Sequence, residues 1–359
     1  MTQQNWPKSS SEASTNSMSR SIVFALFLSR KKLFSPVDTK VKRCKYEFEV
    51  IEAEILRMCG IAGLFLKDDR LESQLGALLA GMLSPLSDRG PDSAGFAVYG
   101  PERSGCIKLT IRGPYGGDFE PMLTALGKST MTIEARRYDT HVVVTIPAEC
   151  ESRARQLLLA FPETTIVGAG RRMELFKEVG LPDDVSRRFK LDQMAGTHAI
   201  GHTRMATESV VSTNGAHPFT TGNDQCLVHN GSLSNHNAVR RDLAKQGLTF
   251  RTENDSEVAA GFITSKLRAG CSLEEALTAS LDALDGFYTF VVGTEFGFGV
   301  LRDPIACKPA VMAETEQWVA FGTEYRALVD LPGITSASVW EPEPAQVYLW
   351  ERQRCPKSI

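Results

Sequence analysis

The amino-acid sequence predicts an α+β protein in which a strand-rich body carries helices and a smaller α/β insertion. Short apolar runs typical of strands recur along the chain, and segments with helical apolar spacing lie between them without strict strand–helix–strand alternation. The chain has 359 residues, of which 42% are hydrophobic and 23% charged, as in globular proteins. This length suits one large domain or two ordinary ones.

The main body is expected to begin at Cys59 and to resume after the insertion at His198. Its predicted strands share short apolar runs and are residues 59–66, 96–99, 107–111, 198–203, 225–229, 288–293, 298–301, 318–323 and 346–350. Its predicted helices share helical apolar spacing and are residues 71–83, 237–246, 256–269, 273–284 and 324–330. Strands outnumber helices, which favours a sheet-based body.

The stretch from about residue 112 to 195 is predicted to be a small insertion that packs on the main body. Strands are expected at 141–146 and 165–167, and helices at 150–160 and 171–179. This alternation is typical of an α/β unit. No residue pattern within the insertion indicates catalysis.

Charge and cysteine usage exclude several classes of function. The formal net charge of -3 provides no basic field that would attract nucleic acid or an anionic membrane. The 8 cysteines are dispersed without a Cys-x-x-Cys pair, and with 6 histidines they show no metal-binding spacing. No apolar run approaches the roughly 18 residues of a membrane span. We therefore predict a reduced, cytoplasmic protein without a metal site.

Residues 1–58 are expected to lie outside the fold, and residues 353–359 to form a tail. The first segment is rich in serine and then in basic residues, unlike the chain that follows. It is a cleaved propeptide, a targeting segment or translated sequence upstream of the true start codon. The methionine at position 58 favours the last of these.

Cys59 is the first candidate catalytic residue because it directly follows Met58. If synthesis starts at Met58 and the methionine is removed, Cys59 carries both a thiol and a free α-amino group. That amine has a reference pKa of about 7.7–8.0, so it can accept the thiol proton. Behind a peptide bond, the nitrogen is an amide and cannot. The alternative is a buried structural cysteine.

Two motifs place charged side chains beside predicted element ends. Arg204, in Gly201-His202-Thr203-Arg204, follows a strand and suits a bidentate grip on a carboxylate, although a surface salt bridge also explains it. Asp255, in the motif at 254–257, precedes a helix, where it binds an ammonium group or shares helix capping with Asn254.

A third motif, His229-Asn230-Gly231, directly follows an apolar strand. The side-chain amide of Asn230 and the backbone N–H of Gly231 are the donors that an oxyanion hole requires. The alternative is a tight hairpin turn, because Asn-Gly is a strong turn signal.

The order of these motifs resembles that of the class II glutamine amidotransferases, which are N-terminal-nucleophile hydrolases. The resemblance runs from Cys59 to about Trp350. The matching motifs, in family order, are Cys59-Gly60-Ile61-Ala62-Gly63 and those at 89–95, 201–204, 214–218, 229–231, 254–257, 301–304 and 321–324. Glu208 departs from the pattern, since some members carry histidine or glycine there.

The resemblance implies a four-layer αββα sandwich that occupies residues 59–352. It implies that Cys59 attacks the side-chain amide of glutamine while its own α-amine accepts the thiol proton. Asn230 and Gly231 would hold the oxyanion, Arg204 the substrate α-carboxylate and Asp255 its α-ammonium group. No cofactor is implied.

The resemblance is greatest to the free-standing amidotransferase components of glutamate-synthase-like complexes, such as the amidotransferase component of N-methylglutamate synthase. L-glutamine would be the substrate, and ammonia would pass to a partner synthase subunit. Two alternatives stay open. The chain is a non-catalytic glutamine-binding regulatory protein if Cys59 stays blocked, or it hydrolyses another amide, which paired Arg204 and Asp255 disfavour.

Overall fold

The computed structural model describes residues 58–130, 134–206 and 211–352, so most of the predicted extension and the predicted tail lie outside the described residues. The strands, in chain order, are β1 (Gly60–Leu66), β2 (Ser93–Tyr99), β3 (Cys106–Arg112), β4 (Glu134–Tyr138), β5 (His141–Pro147), β6 (Thr165–Gly170), β7 (Met173–Val179), β8 (His198–Arg204), β9 (Phe219–Gly222), β10 (Gln225–Leu233), β11 (Gly286–Gly293), β12 (Gly297–Arg302), β13 (Val311–Glu314), β14 (Trp318–Gly322), β15 (Ser338–Trp340) and β16 (Val347–Glu351). The helices are α1 (Leu75–Leu83), α2 (Glu120–Thr130), α3 (Glu151–Leu158), α4 (Pro182–Arg188), α5 (His236–Lys245), α6 (Asp255–Arg268) and α7 (Leu273–Ala283).

Two antiparallel sheets pack face to face and form the centre of the molecule. The seven-stranded sheet has the order β15-β13-β14-β1-β8-β2-β7, and the five-stranded sheet has the order β16-β12-β11-β10-β9. Side chains from both sheets meet in one buried cluster, with Ile61 and Phe321 from the first sheet and Val228 and Val291 from the second. The middle strand β1 is buried along its whole length, which explains its continuous apolar run.

Helices cover the outer face of each sheet. Helices α1 and α4 pack on the seven-stranded sheet through residues such as Leu79 and Val185. Helices α5, α6 and α7 pack on the five-stranded sheet through residues such as Ile263 and Leu277. The layers therefore run helix, sheet, sheet, helix, which confirms the predicted αββα sandwich.

A third, smaller sheet has the order β4-β5-β3-β6 and forms its own core with α2 and α3. It spans residues 106–170, so it begins earlier and ends earlier than the predicted insertion at about 112–195. Residues 171–179 were expected to be helical, and this expectation is wrong, because β7 lies there. Met173 and Leu175 pack between the two large sheets, whereas Phe176 packs in the core on the opposite face, so β7 is buried on both faces.

One predicted helix is much shorter in the structure. The predicted helix at 324–330 is reduced to a three-residue 3-10 turn at Tyr325–Ala327. In the described part of the chain, no helix has both the length and the apolar character needed to cross a bilayer.

Candidate active site

Cys59 lies immediately before β1 and is half-buried. Its thiol donates towards the backbone carbonyl oxygen of Met205, with Sγ 3.7 Å from that oxygen. Burial raises the pKa of the Cys59 thiol, whereas the positive charges of Arg204 and Lys308 act in the opposite direction. Because Met205 directly follows β8, the sulfur lies where two neighbouring strands of the seven-stranded sheet meet the loops.

The carbonyl oxygen of Cys59 is held by two side chains from other parts of the chain. Asn230 Nδ2 donates to it at 3.0 Å, and Arg89 Nε donates to it at 3.5 Å. Arg89 is itself buried and forms an ion pair with Glu324. Arg89 and Glu324 belong to two motifs to which sequence reasoning assigned no chemical role, and the structure shows that they position the residue before β1.

Asn230 and Gly231 lie within β10, which runs without a turn from Gln225 to Leu233 and pairs with β11. The hairpin-turn alternative for Asn-Gly is therefore wrong. Gly231 has a φ of +149°, and a Cβ placed there would lie 2.0 Å from the backbone oxygen of Phe287. Only glycine fits at this position, next to the side chain that contacts Cys59.

Arg204 is the last residue of β8 and is 4% exposed, so it is not part of a surface salt bridge. Gly60 of β1 pairs with Thr203 of β8, so Arg204 and Cys59 are the next residues along the two paired strands. The charge of Arg204 acts against the burial that raises the pKa of the Cys59 thiol. A Cβ placed on Gly215 would lie 3.4 Å from Arg204 Nη1, so the backbone at 215 lies against the guanidinium.

In the motif at 254–257, the structure assigns helix capping to Asn254. Asn254 caps α6, since its side chain accepts a hydrogen bond from Ser256 N at 2.8 Å. The carboxylate of Asp255 instead faces β10, where Oδ2 accepts a hydrogen bond from Leu233 N at 2.9 Å. Asp255 thus contacts, from the first residue of α6, the strand that carries Asn230, at a position three residues along that strand. Its second oxygen lies 3.4 Å from Ser256 Oγ, which is a long contact.

Three buried histidines connect these elements, and sequence reasoning assigned them no role. Ser256 Oγ lies 2.8 Å from His217 Nε2 and 2.9 Å from His229 Nδ1, and His229 Nδ1 lies 3.7 Å from Asp255 Oδ1. His202 stacks on His217 with ring centroids 4.0 Å apart. Burial lowers the pKa of all three, to about 3 for His202, so they are neutral at physiological pH.

The structure therefore brings Cys59, Asn230 and Gly231 together directly and places Arg204 beside them. Asp255, at the start of α6, contacts the strand that carries Asn230 through its hydrogen bond with Leu233 N. This arrangement combines a thiol, an amide donor, a cation and a carboxylate, which can bind and attack a zwitterionic amide.

A cavity of about 580 Å³ lies elsewhere, between β6 of the small sheet and β9 of the five-stranded sheet. Polar side chains line most of it, among them Lys177, Asn214 and Glu257. None of the five predicted site residues lines this cavity, so it is separate from the candidate active site.

Comparisons with known proteins identify the family that this chain resembles. A family model described as a glutamine amidotransferase domain matches residues 202–330. The glutamine amidotransferase-like protein GlxB of Rhizobium meliloti (strain 1021) is 58% identical over 299 residues, which are 83% of this chain and 99% of that protein. An amidophosphoribosyltransferase of Synechocystis is 35% identical over 153 residues, or 42% of this chain and 31% of that protein.

A solved structure, a glutamine phosphoribosylpyrophosphate amidotransferase from B. subtilis, shares the fold with a TM-score of 0.53 at 21% identity. The match covers 82% of this chain and 47% of the solved chain, so this chain spans about half the length of that enzyme.

Proposed function

This chain belongs to the class II glutamine amidotransferases, a family of enzymes, and from that premise we propose that it hydrolyses L-glutamine to glutamate and ammonia. We further propose that Cys59 is the nucleophile and that ammonia passes to a partner synthase subunit. The observation that carries the proposal is the 3.0 Å hydrogen bond from Asn230 Nδ2 to the backbone carbonyl oxygen of Cys59, beside the buried guanidinium of Arg204.

In the proposed reaction, the Cys59 thiol gives its proton to its own α-amine, and the sulfur attacks the γ-carbonyl carbon of glutamine. The new C–S bond leaves a negative oxygen, which the Asn230 amide and the Gly231 N–H stabilise. The α-ammonium group of Cys59 then gives the proton to the leaving nitrogen of the substrate amide, and ammonia departs as the C–N bond breaks. Water then attacks the thioester, which releases glutamate and restores the thiol.

Arg204 and Asp255 are the proposed anchors of the substrate. Arg204 is a buried cation that suits the α-carboxylate, and Asp255 is a carboxylate that suits the α-ammonium group. A site built around two charges rejects analogues that lack either, because the protein group is then left unpaired. These anchors favour a free amino acid over an amide within a peptide.

The mechanism requires Cys59 to be the first residue of the mature protein. We propose that Met58 starts the functional chain and is then removed. The GlxB protein aligns over 99% of its length with 299 residues of this chain, which is close to the number that follows Met58. Residues 59–352 would form the amidotransferase domain, with the small sheet at 106–170 as its insertion.

The proposed ammonia acceptor is a synthase component of a glutamate-synthase-like complex, such as N-methylglutamate synthase. The described residues form the sandwich and the small sheet, and the chemistry that uses ammonia is proposed to belong to another polypeptide. A shielded path between the two proteins would keep ammonia unprotonated.

The test compares a chain expressed from Met58 with one expressed from Met1, each with its first residue determined by mass spectrometry. We expect the chain that begins at Cys59 to release ammonia from glutamine and not from peptide or simple amides. Glutamine binding without turnover, in a chain shown to begin at Cys59, would identify a regulatory binder. Faster turnover of another amide would replace glutamine as the substrate.

A further inference from the structure

Lys177 is a buried lysine that the proposed mechanism does not use, and burial lowers its pKa to about 7. It lies on β7 opposite Gly95 of β2 and is 6% exposed. Its ammonium group donates to three backbone carbonyl oxygens, those of Ala216 at 2.7 Å, Pro218 at 3.3 Å and Asn214 at 3.4 Å. An ammonium group has three hydrogen-bond donors, so these carbonyls match its full capacity.

The three carbonyls belong to one segment, residues 213–218, which we name the anchor loop. The loop has a second tie to β7, because Glu178 accepts a hydrogen bond from the Thr213 hydroxyl. Lys177 and Glu178 are consecutive residues of one strand, so β7 holds the loop near both of its ends.

The anchor loop contacts the surroundings of both proposed substrate anchors. At Gly215 its backbone lies against the guanidinium of Arg204. Two residues later, His217 Nε2 lies 2.8 Å from Ser256 Oγ, and Ser256 is the neighbour of Asp255. A shift of the loop would therefore change the backbone that contacts Arg204 and the hydrogen bond that holds Ser256, the neighbour of Asp255, at the same time.

We propose that Lys177 is a positioning residue for substrate recognition, which holds the anchor loop so that Arg204 and Asp255 fit the two charged groups of glutamine. This inference rests on the proposed function. The reason is geometric: three carbonyl oxygens converge on one cation, and they repel one another when that cation is absent. The loop is then expected to open towards the cavity, which Lys177 and Asn214 also line.

The competing explanation is that Lys177 only stabilises the fold, and Lys108 provides a matched control. Lys108 on β3 is also 6% exposed, but its ammonium group pairs with the carboxylate of Glu174 at 2.9 Å. Glu174 lies on β7, as Lys177 does, and the second acceptor of Lys108 is the carbonyl oxygen of Arg172, outside the anchor loop. The Lys108→Met variant therefore removes an equally buried cation next to the same strand.

The experiment uses chains that begin at Cys59 and measures ammonia release from glutamine and from its α-amide, which lacks the α-carboxylate. For Lys177→Met we expect the KM for glutamine to rise about tenfold, with kcat within about threefold. The preference for glutamine over the α-amide should fall about tenfold, because Arg204 no longer meets the carboxylate correctly. Lys108→Met should leave KM and preference within about twofold.

Unchanged KM and preference in folded Lys177→Met, or equal changes in Lys108→Met, would overturn the inference. If Lys177→Met does not fold, Lys177→Arg carries the same test, since a planar guanidinium cannot serve three convergent carbonyls in the same way. An Arg204→Met variant distinguishes a failure of the proposed function from a failure of the proposed role of Lys177. If it keeps the preference for glutamine, the proposed function fails; if it loses the preference and Lys177→Met does not, only this inference fails.

Discussion

The two ends of the candidate site are built in different ways. At the nucleophile end, Asn230 and Arg89 donate to the backbone of Cys59, and the chemistry depends on what precedes that residue. At the anchor end, Arg204 and Asp255 lie among buried side chains and the anchor loop, and the contacts described there are with residues that follow Cys59 in the chain. The difference between the two ends predicts that glutamine binding and glutamine hydrolysis can be separated by mutation in this chain.

The largest expected effect is at the nucleophile end. In a chain that begins at position 59, Cys59→Ala should lower turnover by roughly 10⁴-fold or more while glutamine still binds, because only the covalent step is lost. Ammonia release and calorimetric titration with glutamine measure the two properties. Cys106→Ala, which removes a buried thiol of the small sheet, is the control and should keep full turnover. Loss of binding in Cys59→Ala would show that the ends are not separable.

Asn230→Ala should have the next largest effect. Loss of one oxyanion donor typically lowers kcat by about 10²–10³, and KM for glutamine should change little because the anchors remain. Asn235→Ala is the matched control, since Asn235 also donates through Nδ2 to a backbone carbonyl, that of Ala283, at 2.9 Å. Steady-state kinetics of both variants checks this, and turnover in Asn230→Ala equal to that in the Asn235 variant would remove Asn230 from the mechanism.

Arg204→Met tests the anchor end. We expect KM for glutamine to rise about a hundredfold, because the α-carboxylate loses a charge-assisted bidentate partner. The kinetic constants for the α-amide of glutamine serve as the control and should change little, since that substrate has no carboxylate to lose. An equal loss for both substrates would mean that Arg204 supports the structure rather than the substrate.

The smallest expected effect concerns the buried histidines of the anchor end. The pKa of His202 is about 3 in the folded protein, because burial opposes its charged form, against about 6.5 when unfolded. Below pH 6.5 the unfolded chain therefore binds a proton that the folded protein does not, and stability falls as the pH falls towards 3. At pH 5 this amounts to about 2 kcal/mol for His202.

Urea denaturation at pH 7 and pH 5 measures this difference. His202→Asn should show a decrease between the two pH values that is smaller than the wild-type decrease by about 2 kcal/mol. His236→Asn is the control, because it removes a half-buried imidazole at the start of α5, outside the group of buried histidines. Equal decreases in wild type and His202→Asn would remove this histidine from the account of acid sensitivity.

Sequence reasoning succeeded where the signal is local. The strand-rich α+β body follows from apolar runs such as that of β1, whereas the sandwich follows from the resemblance in motif order. The motif at 201–204 ends β8 as expected, but the motif at 229–231 lies within β10 rather than after it. Prediction from the sequence failed where contacts between distant residues decide the secondary structure. Residues 171–179 carry mixed spacing, and only packing between the two sheets selects the strand.

The contacts that the sequence did not predict share one property, which is that the two residues in contact are distant in sequence. Lys177 contacts carbonyls 37 to 41 residues away, and Lys308 reaches Met58 across 250 residues. A lysine in a strand pattern is usually read as solvent-facing, so no local signal predicts that Lys177 is buried against the anchor loop.

The most direct test labels the nucleophile with a glutamine analogue that carries an electrophilic carbon at the γ position, followed by intact-mass and peptide analysis. The chain that begins at Cys59 should gain one analogue, attached to the Cys59 sulfur, and lose its glutaminase activity in proportion. The chain that retains the residues before Cys59 should stay unlabelled and inactive, although it binds glutamine. Equal labelling and equal turnover in that longer chain would contradict the central claim that a free N-terminal cysteine performs the reaction.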